Sequence, residues 1–269
     1  MSRLDAISRR KSIRQYAPNA LPAAQLHQVR EVLRNAPALY PGHDLRAVVL
    51  EDGDAVREVM PGLVGSYGKP SSPHFVLVTS AERPGWLENA GYAMEHAVLD
   101  LTILGLATCW IGGQATRETF VPVDPDIPAD HRPVVLIAFG HAADGGLLNR
   151  IKTKRKEMAE IAPGGVGEHA ELLEAARLSP SAANTQPWRF FIADDRIDVY
   201  ASFRAPLLYR SRADHLQLMN QIDVGIALCH IAVAADAAGK KVRIAPESSP
   251  ERDGLHYMTT VRLAGHPVR

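Results

Sequence analysis

The sequence predicts an α+β fold made of two similar halves, with mixed or antiparallel sheets packed around long buried helices. Three observations support this prediction. Predicted strands and helices do not alternate strictly, which disfavours a parallel α/β sheet. The order of elements in the first half of the chain returns in the second half. Each half also contains one long helix with so few charges that we expect it to be buried on most sides.

The first half is predicted from hydrophobic periodicity and from short β-branched runs. Leu26, Val29 and Leu33 recur near a 3.6-residue period, and Pro22 suits a first helical turn. The predicted elements, in order, are a helix at 22–35, strands at 45–50 and 74–79, a long Ala- and Leu-rich helix at 88–107 and a strand at 134–140. A glycine-rich joint at 163–167 then separates a first half, 1–162, from a second half, 168–269.

The second half repeats this order. Its predicted elements are a helix at 169–180, a strand at 188–195 and a buried helix at 224–239. Superposing Gly91 on Gly225 also pairs His96 with His230. Such identities indicate an internal duplication, although a coincidence between two ordinary α+β halves is the alternative. A duplicated chain is a pseudo-dimer, and we expect its halves to pack through their long helices.

Composition and charge exclude several classes of protein. The 269 residues include 46% hydrophobic and 22% charged residues, which are typical values for a globular chain. Thirty basic residues balance thirty acidic ones, so a broad nucleic-acid surface is not expected, although a local phosphate pocket is compatible. Two cysteines are too few for a disulfide framework. With no secretory signal and no apolar run of about 18 residues, we expect a cytoplasmic protein without a membrane span.

A cluster of cations stands near the N-terminus. Residues 9–14 read RRKSIR, which places four cations and a hydroxyl within six positions. Such groups can converge on a phosphate, because charge-assisted hydrogen bonds to its oxygens are short and strong. The alternative is a solvated basic terminus.

A dense run of small and amide residues follows a predicted helix. Residues 179–190 read SPSAANTQPWRF. Small residues let the backbone approach a planar ligand, while Asn184 and Gln186 offer donors and acceptors for polar ring edges. The alternative is a capped helix end with Trp188 in the core.

Paired glycines follow the long helix of the first half. Residues 105–113 read GLATCWIGG, and Gly112 and Gly113 permit a close backbone approach to a ligand. An exposed main-chain N–H there could face a ring nitrogen. The alternative is an ordinary helix C-terminal cap.

Together these segments resemble the flavin nitroreductase family, with support from the late basic cluster KTKRK at 152–156. The resemblance implies a nitroreductase-like fold and a non-covalently bound FMN, with NAD(P)H as the electron donor. It implies a phosphate site made of Arg10, Lys11, Ser12, Arg14 and Arg155, and a ring-facing backbone at Trp110, Gly112 and Gly113. In this family a Pro-Ser-x-x-Asn motif comes from the partner subunit; here it matches Pro180, Ser181, Ala182 and Asn184, with Gln186 beside it.

The two halves divide these motifs between them. The first half has the cations, but where the amide motif is expected it reads PALYPGHD at 37–44; the second half has the motif without a matching RRKSIR. We therefore expect one composite FMN site per chain and a monomeric pseudo-dimer. A family lysine is replaced by Thr153, so Lys152 or Lys154 could serve instead, and Lys69 is a candidate contact to the flavin O2.

The resemblance implies a ping-pong oxidoreductase that reduces a small-molecule acceptor such as a nitroaromatic compound or a quinone. The flavin carries this chemistry, so neither a side-chain nucleophile nor a metal is expected. One alternative is an FMN-binding or storage protein without turnover, closed by a lid at 203–221. Another is a substrate-specific flavin dehydrogenase or dehalogenase on the same scaffold.

Overall fold

A computed structural model describes residues 1–60, 70–113, 115–143, 154–193, 196–204, 211 and 213–264. The chain forms two compact units, Met1–Ile151 and Lys152–Arg269. This boundary precedes the linker that the sequence suggested. Residues 163–167 lie inside the second unit, where Gly165 donates its N–H to the Ala162 carbonyl in a turn.

The first unit contains five helices and four strands among its described residues. In order they are α1 (Arg3–Arg9), α2 (Ala23–Arg34), β1 (Leu45–Leu50), α3 (Gly53–Val59), β2 (His74–Ala81), α4 (Trp86–Ile103), β3 (Ala107–Ile111), α5 (Arg117–Phe120) and β4 (His131–Gly140). The strands form an antiparallel sheet in the order β1-β2-β4-β3. All eight residues of the interior strand β2 are buried, which explains its nearly continuous apolar sequence.

The long helix of the first unit is buried on most sides, as predicted, but it ends before position 107. Gly105 has φ +79°, a left-handed conformation that glycine adopts without steric cost, and it terminates the helix. The chain then enters β3 at Ala107. The segment 105–113 is therefore mostly a strand, and the predicted continuation of the helix to 107 was wrong.

The N-terminal segment after α1 lies against the sheet of the first unit. Ile13 donates its N–H to the Thr108 carbonyl at 3.0 Å, and Ser12 forms a parallel bridge with Thr108. Tyr16 forms an antiparallel bridge with Ala142, beyond the end of β4. These contacts position the RRKSIR segment beside β3.

The second unit repeats the plan of the first. Its elements are α6 (Met158–Ile161), α7 (Ala170–Arg177), β5 (Trp188–Ala193), β6 (Arg196–Ala201), α8 (Ala213–Ala237), β7 (Lys241–Ala245) and β8 (His256–Ala264). The strands form an antiparallel sheet in the order β5-β6-β8-β7, as in the first unit. Along the chain, the long helix again comes between the second and third strands, here β6 and β7. The prediction of an α+β chain with two similar halves is confirmed.

Helix α8 changes the interpretation of the segment predicted as a lid at 203–221. The helix begins at Ala213, so residues 213–221 are its first part; residues 205–210 and 212 lie outside the described residues. Among the described helices, α8 alone is long and apolar enough to cross a membrane by length and composition. However, 83% of its most apolar window is buried in the unit, as in any core helix.

Candidate functional site

Arg10 is the first predicted site residue, and its side chain is buried. Helix α1 starts with a capping box between Ser2 and Asp5 and ends where Arg10 donates its N–H to the Ala6 carbonyl. The Arg10 side chain is only 5% exposed, and its Nε lies 3.7 Å from Oε1 of Glu95. Its Nε and Nη1 are buried and have no hydrogen-bond partner among the described residues. Two strong donors are therefore available to a ligand oxygen.

Glu95 connects two predicted site segments but was missed in the sequence. It lies on α4 with a fully buried side chain, faces Arg10, and accepts a hydrogen bond of 3.0 Å from Trp110 Nε1 at its Oε2. Burying a carboxylate is costly unless it is paired, and Arg10 and Trp110 supply that pairing. The signal that could have found it was an acid in the middle of a helix predicted to be buried on most sides.

Ser12 and Arg14 lie around the buried thiol of Cys109 on β3. Burial raises the pKa of this thiol, whereas the charges of Arg14 and Arg10 and a hydrogen bond with Ser12 act in the opposite direction. The hydroxyl of the neighbouring Thr108 is buried without a hydrogen-bond partner in the described ranges. Three of the four predicted N-terminal phosphate ligands are thus close to one end of β3.

The glycines after β3 leave room for a ligand. A Cβ added to Gly113 would meet nothing within 4 Å, and the φ of this residue is outside the left-handed region. Neither backbone strain nor contact with the described residues therefore requires a glycine there. The backbone after Trp110 is therefore open at Gly113 on the side where a Cβ would lie.

The second unit contributes residues 179–187, which we call the amide loop. Ala183, Asn184 and Gln186 have φ of 49°, 55° and 48°. They are the only non-glycine residues with positive φ in the part of the chain that the structure describes. L-residues enter this region at a cost of roughly 1–2 kcal/mol each, and such strain clusters at functional sites.

Side chains of α8 and of the loop itself hold this conformation. Both carboxylate oxygens of Asp223 accept the Ala182 N–H, each at 3.1 Å. Thr185 donates its hydroxyl to Asn220 Oδ1 at 2.8 Å, and Ser181 Oγ accepts the Gln186 N–H at 3.0 Å. The strained Ala183 and Asn184 therefore lie between Ala182 and Thr185, which are both hydrogen-bonded to α8.

The two amide side chains of the loop are used within the second unit. Gln186 is 3% exposed, and its Oε1 accepts the Lys156 N–H at 2.8 Å. Asn184 Nδ2 donates to the Lys154 carbonyl at 3.0 Å. In this conformation Gln186 is buried and bonded to the chain itself, so it supports the loop, and the expected contact with a ring edge stays a prediction.

Arg155 also takes a place that the sequence did not predict. Its Nη1 donates to Asn184 Oδ1 at 3.2 Å and its Nη2 to the Leu178 carbonyl at 3.1 Å. These bonds make Arg155 a support of the amide loop, whereas a direct phosphate contact was expected. Lys69, Lys152 and Thr153 lie outside the described residues.

Comparison with known proteins identifies the family. A family model described as "Putative TM nitroreductase" matches residues 3–235. The chain belongs to this nitroreductase family. A "putative nitroreductase" from Thermotoga maritima has the same fold over 99% of this chain and 95% of its own, with a TM-score of 0.62 and 18% identity.

Other solved nitroreductases match only part of this chain. One from Bacteroides fragilis with bound FMN has 21% identity and a TM-score of 0.47, covering 57% of this chain and 95% of its own. An FMN- and NADPH-dependent nitroreductase from a Sphigopyxis strain has 17% identity and a TM-score of 0.49, covering 60% and 97%.

Proposed function

We propose that this protein is an FMN-dependent oxidoreductase that takes hydride from NAD(P)H and reduces a small-molecule acceptor, such as a nitroaromatic compound or a quinone. The observation that carries the proposal is the Arg10 guanidinium, which is buried beside Glu95 and whose Nε and Nη1 make no hydrogen bond among the described residues. Phosphate oxygens accept such charge-assisted bonds strongly. Membership of the nitroreductase family supports the same cofactor.

In this proposal the N-terminal segment binds the FMN phosphate. Arg10, Ser12 and Arg14 already lie together at one end of β3, and the partly buried Lys11 adds a fourth group. Glu95 offsets the charge of Arg10, so Lys11 and Arg14 supply the net attraction for an anion. Thr108 offers one further hydroxyl.

Backbone groups bind the ring in this proposal. The chain after Trp110 leaves open space at Gly113, and the amide loop presents small residues from Pro180 to Ala183 in a held conformation. Asn184 remains exposed and completes the set, with Arg155 and Gln186 as its supports. The cations and the amide motif each occur once in the sequence, which supports one FMN per chain.

Bound FMN would supply the hydride-accepting and hydride-donating chemistry. The chain's own residues would bind and orient it. The Arg10 donors fix its anionic end, and backbone N–H groups fix its planar end. No described group of three or more His, Cys, Asp or Glu residues could hold a metal ion, so the proposal assigns no role to one.

The test is an absorbance spectrum of the purified protein with the FMN-to-chain ratio, followed by anaerobic titration with NADH and NADPH. One FMN per chain whose visible band disappears supports the proposal. Retained FMN that neither nicotinamide reduces contradicts the reductase activity and favours storage. A protein that binds no FMN, even when FMN is added, contradicts the cofactor assignment.

A pair of variants tests the phosphate contact itself. Arg10→Lys keeps the charge but loses the planar fork, and we expect it to weaken FMN binding about ten- to a hundredfold. Riboflavin has no phosphate, so its affinity is expected to stay within about twofold. The matched control is Arg9→Lys, at an exposed neighbouring position, which should change neither affinity. Equal losses for FMN and riboflavin would contradict the assignment of Arg10 to the phosphate.

A further inference from the structure

The strained amide loop needs support that its own sequence does not supply. Three of its residues have left-handed backbones, and such conformations persist only where surrounding groups determine them. Helix α8 presents Asn220 and Asp223, which are three positions apart and therefore lie on one face of the helix. Their side chains contact the loop at Thr185 and Ala182, on both sides of the strained Ala183 and Asn184.

Asp223 is unusual for a buried acid. It is 4% exposed, and the Ala182 N–H, which both of its oxygens accept, is its one hydrogen-bond donor within the described part of the chain. No described cation pairs with it, and burial raises the pKa of its carboxyl well above the usual range. A buried acid with one donor is a poor way to stabilise a fold, because desolvation is costly. A role in holding the amide loop explains better why an acid is buried at this position.

The first unit provides an internal comparison. The superposition of Gly91 on Gly225 places Asn89 opposite Asp223, and Asn89 Oδ1 accepts the Tyr40 N–H at 3.0 Å. A side-chain oxygen at the same helical position thus holds the corresponding loop in each unit. A neutral amide suffices in the first unit, where no described non-glycine residue of the loop has positive φ.

We propose that Asp223 is a positioning residue: by fixing the Ala182 N–H, it holds the left-handed backbone of the amide loop in the conformation that binds FMN. This inference rests on the proposed function. Asp223 acts through the loop, so replacing it moves backbone groups and removes no ligand of the cofactor.

The experiment compares Asp223→Ala, Asp223→Asn and Asn89→Ala by FMN titration and by hydrogen exchange of the FMN-free protein. Asp223→Ala should weaken FMN binding about five- to tenfold, the loss expected for one hydrogen bond that fixes the loop. Exchange of the amides at 182–186 should accelerate in the same variant. Asp223→Asn retains an acceptor oxygen and should restore both properties to within about threefold. Asn89→Ala removes the matching contact in the first unit and should leave FMN affinity unchanged.

The outcomes separate the two proposals. Wild-type protein that binds no FMN overturns the proposed function and this inference with it. Wild-type binding with unchanged affinity in Asp223→Ala overturns the inference alone. Equal losses in Asp223→Ala and Asn89→Ala would also overturn it, because they would indicate general destabilisation. Should Asp223→Ala fail to fold, Asp223→Leu, which removes the acceptor oxygens but keeps the volume, takes its place: weaker FMN binding with faster exchange at 182–186 supports the inference, and unchanged FMN binding overturns it.

Discussion

The loop at 37–44 in the first unit and the amide loop in the second occupy the same place in the chain order, between a helix and the first strand of a sheet. Each is bonded to the long helix of its unit at a matching position. The two loops differ in the size of their side chains. The Tyr40 ring lies so close to Gly85 that an added Cβ there would be 2.6 Å from it, and His43 contacts the same ring. The amide loop has only small side chains at 181–183.

The difference shows that the frame and the conformation of this loop are separable. Both units keep the strand order and the long helix, but of the two loops only the amide loop combines small residues with left-handed non-glycine backbones. In the first unit the Tyr40 ring lies against Gly85 at the start of α4, and no described non-glycine residue of the loop has positive φ. The same frame therefore carries one loop held by an aromatic side chain and one loop with small side chains on a strained backbone.

The largest expected effect concerns the buried acids of the two long helices. Glu95 has Arg10 as a partner, whereas Asp223 has no described cation. Glu95→Ala leaves Arg10 buried and unpaired, and we expect the free energy of unfolding to fall by about 3–5 kcal/mol. Urea denaturation measures this loss. The double variant Glu95→Leu with Arg10→Met should recover most of it, and no recovery would contradict the ion-pair explanation.

The next effect tests whether the two loops differ in function. Tyr40→Ala removes the half-buried ring over Gly85 and should cost about 1–2 kcal/mol of stability, less than a fully buried aromatic residue. FMN affinity should stay within about twofold. Tyr40→Phe, which keeps the ring, is the control and should lose less stability than Tyr40→Ala. A tenfold loss of FMN affinity in Tyr40→Ala would remove the functional distinction between the loops.

A smaller effect tests the strain in the amide loop. Ala183→Gly relieves a left-handed alanine, and we expect a gain of about 0.5–1 kcal/mol after the entropy cost of glycine. The matched control is Ala182→Gly, at a neighbour without positive φ, which should lose about 0.5–1 kcal/mol. Thermal unfolding of both variants decides the matter, since changes of the same sign would contradict the strain argument.

The smallest effect is an acid sensitivity of the first unit. His74 Nε2 accepts the Leu21 N–H and Nδ1 faces the Glu51 carbonyl, an arrangement that requires a neutral ring. Burial lowers the pKa of His74. The unfolded chain therefore binds the proton more readily, and stability should fall as the pH drops below about 6.5, by at most about 1.4 kcal/mol per pH unit. His74→Gln should flatten this part of the pH–stability curve, and an unchanged slope would exclude His74 as its source.

Periodic features of the sequence predicted the fold well. Strand β1 matches its prediction at both ends, and α2 follows from the spacing of its apolar residues. Strand β3 was missed because GLATCWIGG continues the apolar composition of the preceding helix, and only the backbone of Gly105 reveals the break. A local sequence pattern cannot show where a helix ends when the helix and the strand that follows it are equally buried.

The candidate site was predicted less completely, for a physical reason. Motif residues such as Arg10 and Ser12 are neighbours in the chain, so their clustering is visible in the sequence. Glu95 and Asp223 contact their partners only through the tertiary fold, so neither contact is visible as a local pattern in the sequence. Gln186 has the residue type expected for a ring contact, but burial against Lys156 decides its role. The residue type predicts which kind of hydrogen bond a side chain can make, and the fold decides which partner it has.

The hydrogen bonds of the N-terminal segment have a consequence for the order of synthesis. The Tyr16 hydroxyl donates to the Ala138 carbonyl, 122 positions further along the chain, so this segment must wait for most of the first unit to leave the ribosome. Asn184 bonds to Lys154, only 30 positions away, and Ala182 to Asp223, 41 positions away. The cations of the RRKSIR segment are thus slow to find their partners, whereas the amide loop acquires its contacts soon after α8 emerges.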